Sequence, residues 1–176
     1  MKSCFALLLA FACTTSANAA EWQSVTSTPG NFKALLPSKP MKLNRTINTA
    51  VGKVELYMLI STTSGGKAAF AVMFNDYPAK VTQNSTANAI LDRALNGAVK
   101  SKQGKIISKK SLKLDGFPGK EIKFEGTSNG KKLTGHIRVY LVKSRLYQLL
   151  VFGEGNVTVP KADVDKFFAS FKRLKK

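Results

Sequence analysis

Cysteine is almost missing from this 176-residue chain, and the two present, Cys4 and Cys13, fall within the first twenty positions. Histidine occurs once, as His136. Acidic residues number 10 against 28 basic ones, for a formal net charge of +18. No stretch reaches the roughly 20 apolar residues that a helix needs to span a bilayer.

The cysteine shortage becomes complete if the start of the chain is removed. One positive charge at Met1-Lys2 precedes an apolar run from Phe5 to Ala12, and Ala17-Asn18-Ala19 supplies the small-x-small pattern of a signal-peptidase site. The expectation is a signal peptide over 1–19 and one exported domain over 20–176, periplasmic or secreted. Lipidation of Cys13 is the lesser alternative. It would put the bulky Phe11 where lipoprotein signals prefer small residues, after a short apolar core. The exported chain then holds no cysteine, which excludes disulfides, thiolate nucleophiles and cysteine-based metal sites.

With one histidine, any Ser-His-acid set must use His136. The chain has no Gly-x-Ser-x-Gly elbow, and neither HExxH nor CxxC spacing. The close acidic pair Asp163 and Asp165 falls in the first turn of a predicted helix, where carboxylates favour the dipole. Ser64-Gly65-Gly66-Lys67 is a turn without phosphate-loop spacing. No catalytic residue, metal or cofactor is assigned on these grounds. An enzyme built around His136 stands as the weakest of the functional readings.

The scarcity of acids leaves a strongly cationic surface, and such a field attracts polyanions or anionic membrane. Its make-up argues against specific nucleic-acid recognition. Only five of the basic residues are Arg, and no block of five or six like charges occurs. Lysine is a hydrated point charge, whereas bidentate phosphate recognition favours arginine forks.

Apolar residues make up 44% of the sequence, enough for a core in one domain of this size. Strands are predicted over 22–26, 32–36, 42–49, 54–62 and 68–75, the last apolar enough to be covered on both faces. Ile90, Leu91, Ala94, Leu95, Ala98 and Val99 form the stripe of an amphipathic helix over 85–102, capped by Ser85 or Thr86. Four more strands follow at 105–114, 120–127, 133–142 and 145–152, separated by turns at 115–119, 128–130 and 143–144. A helix over 160–172 buries Val164, Phe167, Phe168 and Phe171.

The tight turn at Lys143-Ser144 sets a register in which Tyr140 faces Tyr147, Arg138 faces Leu149 and His136 faces Val151. One face of this hairpin is apolar and the other half apolar, so both require cover. The expectation is an α+β fold, an α/β/α sandwich with a central antiparallel sheet flanked by helices. The same register gathers His136, Arg138, Tyr140, Arg145 and Tyr147 on one face, a candidate ligand-binding patch of forks and rings.

Phe32-Lys33-Ala34-Leu35-Leu36-Pro37, the Asp115–Glu121 segment, Gly135–Val142, Arg145–Leu149 and Phe167–Phe171 together resemble exported bacterial members of the PsbP/Mog1-like group. The resemblance spans about 22–172. It implies the same sandwich and brings no enzymatic residues. What it favours is a non-enzymatic binding or accessory domain docking onto an envelope protein or component. A polyanion or anionic-membrane binder, working through its lysines, is the alternative.

Overall fold

A computed structural model describes residues 21–49 and 52–174. The expected signal peptide, with both cysteines, lies outside them. The chain runs β1 (Gln23–Ser27), β2 (Phe32–Leu36), β3 (Met41–Thr49), β4 (Gly52–Thr63), β5 (Ala68–Asp76), α1 (Ala79–Gln83), α2 (Ala87–Lys100), β6 (Lys105–Leu114), β7 (Phe117–Ser128), β8 (Lys131–Val142), β9 (Arg145–Glu154), α3 (Lys161–Ser170) and β10 (Lys172–Arg173). Seven strands form one antiparallel sheet in the order β3-β4-β5-β9-β8-β7-β6, and β1-β2-β10 form a second, smaller one.

Local chemistry explains most of these elements. The Thr86 hydroxyl accepts the Ala89 N–H at 3.2 Å and starts α2. Asp115 and Gly116 both have positive φ and close a two-residue hairpin between β6 and β7. The expected five-residue turn is therefore shorter: Phe117, Pro118 and Gly119 already pair with Leu114, Lys113 and Leu112. Pro118 is tolerated because pairing of β7 with β8 begins only at Gly119. The β8–β9 register is the one the turn at 143–144 predicts, with Tyr140 opposite Tyr147 and His136 opposite Val151.

The large sheet is covered on both sides, giving an α+β fold. On one face, Ile90, Leu91, Leu95 and Val99 of α2 pack on Ile122, Phe124, Ile137 and Val139. On the other, Val164, Phe167 and Phe168 of α3 join Phe32, Ala34 and Leu36 of β2 over Phe70, Val72, Leu149 and Val151. That second cover is part helix and part sheet, where the sequence suggested helices alone. The last helix is also shorter than expected. Phe171 turns extended, and Lys172 and Arg173 pair with Lys33 and Phe32.

Candidate functional site

The strand register does put His136, Arg138, Tyr140, Arg145 and Tyr147 on one face, but that face is the one under α3 and the small sheet. Tyr147 is 2% exposed and Tyr140 5%. The Tyr147 hydroxyl donates to the Gly30 carbonyl at 2.8 Å, and its ring meets Phe171 edge-on at 5.4 Å. Tyr140 stacks on Phe171 at 6.2 Å, and burial raises its phenol above the usual range. Both phenols therefore serve the core.

The two arginines are engaged separately. Arg145 forks onto Asp76 at 2.7 and 2.6 Å, donates to the Pro29 carbonyl at 2.8 Å and lies over the Phe74 ring. The Asp76 hydrogen bonds raise its pKa further. Arg138 pairs with Glu121 and lies 4.4 Å from the Phe168 ring centroid. Arg138 and Val142, the register partner of Arg145, are four residues apart on β8, roughly 13 Å along the strand. The two guanidinium groups thus belong to two places.

His136 and Arg138 remain half-buried at the β7 side. His136 sits opposite Lys123 and lines a recess of about 250 Å³ with Ile107, Thr134, Val151 and Val159. Burial, with help from Lys123, holds the imidazole below its ordinary pKa. Ile107 is 57% exposed at the irregularity in β6 between Ile106 and Ser108. On Glu121, burial pushes the carboxyl up, and hydrogen bonds from Arg138 and Lys110 outweigh it and bring it below the usual value. Among the described residues, no group of three or more His, Cys, Asp or Glu is placed to hold a metal ion.

A larger opening lies on the opposite face. Because α2 sits over β6, β7 and β8, the same face of β4, β5 and β9 is left partly uncovered. A groove of about 680 Å³ results, mainly apolar, with Arg93 and Lys102 of the helix side on its border. Val54 and Leu56 come from β4, Met73 from β5 and Leu150 from β9, facing Ala94, Gly97 and Ala98 of α2. The sequence carried a signal for it: the predicted helical stripe included Ala94 and Ala98, too small to bridge to the sheet. Asn75 and Gln148 interrupt otherwise apolar strands on the same side.

The architecture is that of the PsbP/Mog1-like group, as the motifs at 32–37, 115–121 and 167–171 imply. The solved structure of cyanobacterial PsbP (CyanoP) from Synechocystis sp. PCC 6803 superposes with a TM-score of 0.54 at 15% identity, over 90% of this chain and 95% of that one. A Pseudomonas aeruginosa protein of unknown function, PA94, matches at TM-score 0.45 and 12% identity, covering 75% of this chain and 82% of its own. No known family model and no curated protein matches the sequence.

Proposed function

We propose that this chain is a non-enzymatic exported domain that docks onto an envelope protein or component through the β6–β7–β8 side of the sheet. The observation carrying this reading is the recess around His136. There an exposed apolar side chain, Ile107, stands beside Lys123, with Lys105 close by on the edge strand. An apolar anchor within a polar rim is how protein interfaces concentrate binding energy, and the cations steer encounter. His136 and Arg138 belong to this face, while Tyr140 and Tyr147 are buried under α3 and the small sheet. Lys105, Lys113 and Lys123 make no ion pair among the described residues, whereas Lys109, Lys110 and Lys120 are held by Asp92 and Glu121.

The test is binding of the exported domain to envelope extract at graded salt. The expected result is a saturable partner that is retained at about 0.2 M salt, where purely electrostatic contacts fade. Ile107→Ser with Lys123→Glu should weaken it about tenfold or more. Unsaturable retention on heparin or anionic vesicles that vanishes by about 0.2 M salt would instead assign the charge to nonspecific attraction.

A further inference from the structure

We infer that the groove between α2 and the β4–β5–β9 surface is a binding site for a single-chain anionic amphiphile, a long-chain fatty acid or its lysolipid equivalent. The site shares no residue with the docking face above and stands independently of it.

Three features of the groove define the ligand. The first is shape and lining. The opening, about 680 Å³, falls in the range of sites that take small ligands. Leu146, Gln148, Leu150 and Phe152 lie along its floor, and the seven-residue run from the first to the last covers about 20 Å of strand. That is an elongated apolar trough suited to an acyl chain.

The second feature is an unused donor inside it. Asn75 is 3% exposed, and its side-chain nitrogen, directed toward the Tyr77 hydroxyl, makes no full hydrogen bond among the described residues. A buried amide N–H left unpaired costs about 1–3 kcal/mol, so an acceptor supplied by a ligand would be favoured here.

The third is charge at the same end. Asn75, Tyr77 and Arg93 all line the groove there, and both Asn75 and Arg93 lie close enough to the Tyr77 hydroxyl to favour its ionised form. Burial outweighs them and raises the phenol pKa, so Tyr77 stays a donor at neutral pH. Arg93 holds only the Ser85 hydroxyl at 2.6 Å and the Ala89 carbonyl at 3.3 Å. Arg138, Arg145 and Arg173 each hold a carboxylate, and Arg93 holds none among the described residues. Three donors with one uncompensated cation therefore meet at one end of an apolar trough. A carboxylate or phosphate head satisfies them while its tail lies over Met73, Leu150 and Phe152.

The test uses the exported domain and a fluorescent fatty acid, dansyl-undecanoate, displaced by unlabelled competitors. One saturable site is expected, emptied by oleate, with methyl oleate weaker by about tenfold or more because it lacks the charge. Oleate outcompeting lysophosphatidylglycerol would assign the site to free acids, and the reverse order to lysolipid headgroups. Gly97→Leu should abolish binding. A Cβ at position 97 meets nothing within 4 Å, so the variant fills the groove without disturbing the helix, which circular dichroism verifies. Arg93→Gln should lower oleate affinity about tenfold and leave methyl oleate unchanged. No saturable binding by the native domain, equal affinity for oleate and its methyl ester, or undiminished binding in a folded Gly97→Leu variant would each overturn the assignment.

Discussion

His136 lies half-buried opposite Lys123, and burial together with that cation disfavours its protonated form. The unfolded chain, with an ordinary imidazole near pH 6.5, takes up this proton more readily than the folded one. Stability should therefore fall as pH drops through about 6.5. Urea titrations between pH 7.5 and pH 5.5 should show that fall in the native chain and a flatter profile in His136→Gln. Glu121 acts lower on the scale: its pKa is depressed, so its contribution is kept above the ordinary carboxylate range and lost at more acid pH. The sequence placed both arginines and both tyrosines on one face correctly, because strand alternation alone fixes that. It did not reveal that Asp76 and Glu121 would occupy the two guanidinium groups. Asp76 comes from a strand 69 residues away from Arg145, a partner no local pattern marks.

At the level of elements, α2 shows how far periodicity reaches. The stripe of Ile90, Leu91, Leu95 and Val99 is buried as its spacing requires. Spacing cannot tell an alanine that only packs in the core from one that also borders a gap, and Ala94 and Ala98 do the latter. Gly97 lies on the same border, in the last turn of the helix. Its replacement by alanine should stabilise the fold by about 0.5–1 kcal/mol, since the helix gains propensity and the added methyl meets nothing. A rise in thermal midpoint checks this. The opposite holds on β8, where a Cβ at Gly135 would come within 2.2 Å of the Phe124 ring. The β8–β9 register was legible from a two-residue turn, whereas β10 was not, because a two-residue strand has no pattern of its own.

Across the whole molecule, the second layer depends on residues near both ends of the described chain. Phe171 contacts Phe32, Tyr140 and Tyr147, and is 5% exposed. Phe171→Ala should cost about 3–5 kcal/mol by opening a cavity in that layer. Denaturant unfolding would measure it, against a total of about 5–15 kcal/mol for a typical domain. Beyond Phe171, Arg173 pairs with Asp115 at 2.9 Å and lies over the Phe117 ring, while the Leu174 N–H donates to the Asn31 carbonyl.

The three-stranded sheet takes β1 and β2 from residues 23–36 and β10 from residues 172–173. During synthesis, Phe32 and Lys33 are therefore made long before Arg173 and Lys172, their partners on β10. Until it arrives, the aromatic underside of the large sheet has no complete roof. The segment at 172–173 then acts as a latch, joining a roof begun at Gln23 to contacts that only a distant part of the sequence supplies.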